Sequence, residues 1–447
     1  MRDVLTALAA RFGIDRAVFY ALLAHGWRAC GGLVSILLIA EFLTPETQGY
    51  YYTFQSLVGL QVFFDLGLGL AVVSVTSHEW AKLQLNEERA IIGDPESLSR
   101  LVSFGRKLAS WYAVAAIVFV LLVAPAGALF LAQKGNSTGW LAPWLLAVLF
   151  QGILLWSLPF QALFEGCNQV VAIQRFQFWQ SVLANLALWI GLSSGAGLWS
   201  LAAFIGMQAA TTIFYLGVLQ RSFFLPFTRP SGGSRIDWKL EVWPMQWRLA
   251  LLGGVNFFMY SLFTPVMFHY YGAVVAGQMG MTWQVLSALQ GAALAWLSTK
   301  VPFLGLLIAQ KQYAKLDRIW LRASLIGITV MSLGGIGVWT FVYCLNRMDL
   351  SLRSRLLMPL PTALFIVATI LMMVVQSLAI YLRAHKKEPL AAPGVISGLA
   401  IGGLVWLLGS RFGATGAALA YFLVLLIVTV PLTMMVWVRS RQEWHKF

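Results

Sequence analysis

Residues 53–61 read TFQSLVGLQ and residues 282–290 read TWQVLSALQ. Five of the nine positions are identical, a sixth is aromatic in both, and the offset of 229 is close to half of the 447-residue chain. The same ungapped offset lays Ala21, Leu22 and Leu23 on Ala250, Leu251 and Leu252. A repeat spanning half a chain makes each half one structural unit of common design.

Outward from these segments the chain is apolar. Residues of the apolar types make up 59% and charged ones only 11%, against about 25% charged in a soluble globular protein. That excludes an ordinary soluble enzyme. Apolar runs long enough to cross a bilayer fall near 17–43, 50–76, 108–131, 141–165, 174–193, 197–219, 248–270, 273–299, 322–345, 359–382, 391–409 and 414–438. The expectation is an all-α polytopic membrane protein of twelve spans. Six belong to an N-terminal lobe, 1–219, and six to a C-terminal lobe, 248–447, with a cytoplasmic linker at 220–247. Pro159, Pro265 and Pro431 lie inside spans and predict bends. Six spans per half bring the second half in with the orientation of the first. The two lobes are then related by an axis along the membrane normal, with a cavity between them.

The net charge of +14 could mean nucleic acid, but that needs a basic face on a soluble domain. Here the cations sit in short connections. With the N-terminus inside, 25 of the 31 Lys and Arg residues fall on the cytoplasmic side and five outside, a strong positive-inside bias that places both termini in the cytoplasm. Residues 1–16, MRDVLTALAARFGIDR, space Leu5, Leu8, Ala9 and Phe12 as one face of an interfacial helix. No small-residue cleavage site follows a short apolar core, so a cleaved signal peptide is not expected. Cys30, Cys167 and Cys344 are far apart and make neither a disulfide framework nor a metal spacing.

A charge at the bilayer centre costs roughly 2.5 to 3.5 kcal/mol on insertion scales, so the few ionisable groups within spans carry the functional information. Arg28 lies about 11 residues into the first span, near 16 Å depth at 1.5 Å per residue. His25, three residues earlier, shares its face. Asp65 lies in the second span, within reach of Arg28. The pair reads either as a structural ion pair or as part of a cavity. Lys300 maps by the repeat onto Ala71, inside the second span, and Arg248 maps onto Phe19 at the inner mouth. Arg28, Arg248 and Lys300 against Asp65 give a cationic lining that favours an anion, and arginine's planar fork suits phosphate oxygens. The repeated glutamines Gln55, Gln61, Gln284 and Gln290 suit either sugar hydroxyls or helix-to-helix hydrogen bonds. Asp65 and His25 are the candidate proton carriers.

No phosphate-binding glycine loop, aspartate pair or metal-ligand spacing occurs. No cofactor, metal or catalytic residue is expected, and the short external connections leave no room for an outside active site.

The stretch from Arg28 through LTPETQGYYYTFQSLVGLQVFFDLGLG (43–69) to SHEWAKL (77–83) resembles the N-terminal region of bacterial polysaccharide-repeat-unit flippases. These belong to the superfamily of multidrug, oligosaccharidyl-lipid and polysaccharide exporters. The resemblance is specific over residues 28–83; beyond that it rests on span number, two lobes and length. It implies a two-lobed inner-membrane protein that flips undecaprenyl-pyrophosphate-linked oligosaccharides, for O-antigen, lipopolysaccharide or exopolysaccharide, to the periplasmic leaflet, with a polysaccharide polymerase complex as a candidate partner. Carried onto this chain, Arg28, Arg248 and Lys300 would hold the anionic head group, while Gln61 and Gln290 are candidates for the sugars from the residue reading alone. Peptidoglycan-precursor flippases are similar but typically have fourteen spans. The rivals are a multidrug or cation antiporter on the same fold, which calls for acidic cavity residues, a membrane-embedded glycosyl or acyl transferase, and a noncatalytic assembly scaffold.

Overall fold

The computed structural model describes residues 16–133, 139–228, 236–238, 243–348, 351–385 and 389–444. The expected interfacial helix over residues 1–15 lies outside them. Nearly everything described is helical: α1 (Arg16–Phe42), α2 (Pro45–Val58), α3 (Leu68–Trp80), α4 (Pro95–Ala132), α5 (Leu141–Gly166), α6 (Val170–Ser193), α7 (Trp199–Phe214), α8 (Trp243–Tyr260), α9 (Phe263–Tyr271), α10 (Ala273–Ser298), α11 (Val301–Ala309), α12 (Tyr313–Arg347), α13 (Pro359–Ala384), α14 (Ala391–Val424) and α15 (Val430–Trp444). Among the described residues, seven helical segments are long and apolar enough to cross a membrane, so the chain is a multi-pass helical membrane protein. One small hairpin, β1 (Leu83–Leu85) against β2 (Ile91–Gly93), joins α3 to α4.

Local chemistry explains where helices start and break. Asp94 caps α4: its carboxylate accepts from the Ser97 amide at 2.9 Å, and Pro95 occupies the first turn, where its missing N–H does no harm. Gly272, at φ 88°, turns the chain between α9 and α10. The run Ala391–Trp444 is 54 residues, about 80 Å of helix against a hydrocarbon core of about 30 Å. It is resolved by Gly413, whose φ of 60° and ψ of −147° interrupt α14. A Cβ on Gly416 would stand 2.1 Å from the Leu408 carbonyl oxygen. In one straight helix residues eight apart lie about 12 Å apart along the axis, so the chain folds back at Gly413.

The prolines act unevenly. α5 runs through Pro159. The predicted bend at Pro265 falls three residues earlier, at Ser261 and Leu262 between α8 and α9, because proline is tolerated in a helix's first turn. Pro431 follows a π-helical turn over Leu425–Thr429.

The chain divides into two compact units: Met1–Leu38 with Val58–Gly253, and Ile39–Leu57 with Gly254–Phe447. In the first, α5 packs against α3, α4 and α7, and α6 pairs with α7. Gly127 on α4 admits the buried Trp144 ring, which a Cβ there would meet at 2.1 Å, and Trp144 Nε1 donates to the Ala124 carbonyl at 3.0 Å. α1 reaches α6 at Gly31, where a Cβ would stand 2.5 Å from Asn185, and Trp189 Nε1 donates to Ser35 Oγ at 2.9 Å.

The second unit is built on α10, which packs against α9, α12 and α13. Phe263, Trp283, Phe365 and Tyr421 form one aromatic cluster, with centroids 4.9 Å apart for Phe263 and Trp283 and 5.3 Å for Phe263 and Tyr421. Most of α2 also belongs here. A Cβ on Gly49 would lie 1.8 Å from the Ala273 carbonyl oxygen, and one on Gly277 would lie 2.9 Å from the Gly49 nitrogen. The two helices cross backbone to backbone, as small residues allow within membranes.

Candidate functional site

The second predicted span is not one helix. After α2 the chain passes through a 3-10 turn at Gly59–Gln61 and one helical turn at Val62–Asp65, then takes left-handed conformations at Leu66 (φ 53°) and Gly67 (φ 64°) before α3 begins. A leucine there is strained, since left-handed geometry crowds its Cβ. A broken helix at membrane depth is tolerated only where protein or a polar cavity satisfies the freed backbone. Asp65 sits at this break. Its Oδ1 accepts from the Tyr112 hydroxyl at 2.8 Å, the same hydroxyl reaches the Asp65 carbonyl at 3.2 Å, and the Gly67 amide also faces the carboxylate. Four residues earlier, Gln61 Oε1 accepts from Gln151 Nε2 on α5. Asp65 and Gln61 therefore have protein partners on α4 and α5.

The repeat mates on α10 are arranged differently. Gln290 Nε2 and Gln284 Oε1 are buried and make no hydrogen bond, and the same is true of Gln376 Oε1 on α13. A buried amide atom without a partner costs about 1–3 kcal/mol; Tyr52 Oη, Thr76 Oγ1 and Ser397 Oγ are likewise buried without a protein partner. Gln55, the mate of Gln284, is exposed. The two copies of one motif thus stand in different environments: Gln61 is bonded within the first unit, and Gln290 has a free donor in the second.

Lys300 is exposed and precedes the first residue of α11, where α10 ends; Ala71, its mate, is buried. Arg28 and His25 lie along α1 and Arg248 along α8, but their side chains fall outside the described part of the structure. By unit, Arg28, His25, Gln61, Asp65 and Arg248 belong to the first, and Gln290 and Lys300 to the second. Among the described residues no three His, Cys, Asp or Glu side chains gather as metal ligands would.

Sequence reading missed Tyr112, Gln151 and Gln376. Gln151 and Gln376 were findable, as single amides inside apolar runs (VLFQGILL and MMVVQSLAI). Tyr112 carries no such signal, because tyrosine is common in spans and its pairing with Asp65 depends on packing across 47 residues.

A third arrangement lies where α2 crosses α10. Gln48 Nε2 donates to the Gly277 carbonyl at 2.9 Å and to the Arg355 carbonyl at 3.1 Å, and Arg355 Nη1 donates back to Gln48 Oε1 at 3.3 Å. The Leu357 amide donates to Thr282 Oγ1 at 3.0 Å. The connection at 351–358 is thereby pinned to the start of α2 and α10.

The structure is thus a bundle of interrupted apolar helices with an aspartate at one break and unpaired amide atoms on α10 and α13. By sequence, no family model and no curated protein matches the chain. By structure it is similar to an inward-facing multidrug resistance MATE family transporter of the MOP superfamily, with TM-score 0.61 and 13% identity over 94% of this chain and 99% of that one. It is also similar to the lipid II flippase MurJ in an inward closed conformation, with TM-score 0.62 and 14% identity over 95% of this chain and 87% of that one. A third likeness is a MOP superfamily transporter from Pyrococcus furiosus described as having a binding pocket of reverse polarity, with TM-score 0.56 and 12% identity over 96% and 95%. The chain has the fold shared by MOP superfamily transporters and flippases.

Proposed function

We propose that this protein is a flippase of the inner membrane that carries undecaprenyl-pyrophosphate-linked oligosaccharide repeat units from the cytoplasmic to the periplasmic leaflet. Two six-helix lobes, 1–219 and 248–447, alternate access through twelve spans, with both termini cytoplasmic. Three observations support this reading. Gln48 is hydrogen-bonded to Gly277, 229 residues away and so its own repeat mate. The last span of each half carries a π-helical turn, Tyr215–Leu219 and Leu425–Thr429. One of the structural neighbours is itself a lipid II flippase.

The observation that carries the substrate reading is the set of unpaired amide atoms on Gln284, Gln290 and Gln376. Neutral donors and acceptors that the protein leaves unused match a hydroxyl-rich cargo, because each bond to a sugar replaces a desolvation cost the empty carrier already bears. Arg28, Arg248 and Lys300 supply positive charge for the pyrophosphate, and Asp65 or His25 the proton coupling if a proton gradient drives the cycle.

The multidrug reading has its own support, in the MATE neighbours and in Asp65 as an acidic group within a span. Against it, the Asp65 carboxylate is already occupied by Tyr112 and Gly67. The two readings separate in reconstituted vesicles. A labelled lipid-linked oligosaccharide placed in one leaflet should become accessible from the other without bond cleavage, and Arg28→Ala should stop it. Export of a cationic dye by the same vesicles, with no movement of the glycolipid, would overturn the proposal. Covalent transfer of the sugar would point to an enzyme.

A further inference from the structure

The start of α12 gathers four cations, Lys311 just before the helix and Lys315, Arg318 and Arg322 in its first three turns, against one carboxylate, Asp317. That carboxylate faces inward and is committed. Its Oδ1 accepts from the Tyr381 hydroxyl at 2.7 Å and its Oδ2 holds the Arg441 guanidinium at 2.5 Å. Lys315 lies over the Phe303 ring at 5.9 Å. Arg318 and Arg322 are exposed, one helical turn apart on the same face, and neither forms an ion pair among the described residues. Like charges at this spacing repel.

Beside the two guanidinium groups lies an open hollow of about 490 Å³, lined among the described residues by α12 alone, with Leu321, Leu325 and Thr329 next to Arg318 and Arg322. Leu321 and Leu325 are half exposed, at 50% and 54%, so this face of a spanning helix meets lipid. From Arg318 to Thr329 the helix rises about 16 Å, close to half of a hydrocarbon core of about 30 Å, the depth of one leaflet. Two unpaired forks beside an apolar strip of leaflet depth are complementary to a phosphate head with an apolar tail, as a phospholipid of that leaflet carries.

We propose that the Arg318–Arg322 hollow on α12 is a binding site for an anionic phospholipid of the leaflet that meets the start of that helix. The phosphate bridges the two guanidinium groups and relieves their repulsion, and one acyl chain lies along Leu321 and Leu325. The site is independent of the transported lipid and does not rest on the substrate assigned above.

The full chain is reconstituted in phosphatidylcholine discs doped with phosphatidylglycerol, and the lipids retained on the protein are counted by native mass spectrometry. Phosphatidylglycerol should be enriched over phosphatidylcholine, and Arg318→Gln with Arg322→Gln should cut that enrichment about tenfold, whereas Arg411→Gln should not. Leu325→Trp keeps both charges but fills the hollow and should also reduce retention, which guards against misfolding of the double variant. Undiminished enrichment in both the double variant and Leu325→Trp, or no preference in the wild type, would refute the site. Displacement of phosphatidylglycerol by undecaprenyl phosphate at lower concentration would assign the hollow to the transported lipid and overturn the proposal as well.

Discussion

Gln61 and Gln290 occupy the same place in a duplicated motif, yet Gln61 Oε1 accepts from Gln151 while Gln290 Nε2 is buried without a partner. The difference separates stability from function at single-residue resolution. Gln290→Leu removes an unpaired buried amide and replaces it with an apolar side chain of similar size. The melting temperature of the purified variant should hold or rise, because about 1–3 kcal/mol of desolvation cost disappears, while glycolipid translocation falls at least several-fold. Unchanged translocation would show that Gln290 does not touch cargo. Sequence alone marked Gln61 and Gln290 equally, because identical residues at identical repeat positions carry no information about what packs opposite them. Asp65 shows the same limit. Its depth in an apolar run made it conspicuous, but its hydrogen-bond partner comes from a helix 47 residues on.

At the scale of elements, the crossing of α2 over α10 depends on the absence of side chains. Gly49→Ala puts a Cβ 1.8 Å from the Ala273 carbonyl oxygen, and backbone cannot yield as a flexible side chain does. Overpacking of this kind costs typically 1–3 kcal/mol, so the variant should melt several degrees lower. Gly69→Ala meets nothing within 4 Å and should melt like the wild type; an equal loss in both would rule out the close approach as the cause. The start of α4 makes a second test. Hydrogen bonds from Ser97 hold the Asp94 carboxyl below its usual pKa. A carboxyl depressed in the folded state adds stability above its unfolded pKa, near 3.9, and loses it as pH falls through the folded value. Asp94→Ala should therefore lower the melting temperature at pH 7, and the difference from wild type should shrink below about pH 4. A gap that persists in acid would mean the cap acts by shape and not by charge. Boundaries such as this one were readable, since Asp-Pro-Glu announces a helix start through local chemistry. The break at Leu66 was only half readable: Gly67 beside it takes a left-handed φ freely, but a leucine does so only when its surroundings compel it.

For the molecule as a whole, the positive-inside distribution predicts opposite exposure for two connections. With Cys30, Cys167 and Cys344 replaced, Ser354→Cys should react with a membrane-impermeant maleimide added outside intact cells, and Glu87→Cys in the β1–β2 hairpin should react only after permeabilisation. The reverse pattern would invert the topology and with it the proposed direction of transport. The division of the chain is a molecular-scale feature that the repeat did not anticipate. Ile39–Leu57 lies in the first half of the sequence but packs with Gly254–Phe447, held there by the Gly49 approach and the Gln48 hydrogen bonds.

Composition and hydropathy determined that this chain is a helical membrane protein and that it crosses the bilayer more than once. Those properties follow from the solvent, since lipid admits only long apolar segments whose backbone bonds are closed within themselves. Tertiary structure decided where helices break, which half owns α2, and which polar groups are left unpaired. Each of those depends on contacts between residues tens to hundreds of positions apart, at distances of a few ångströms that no local pattern encodes.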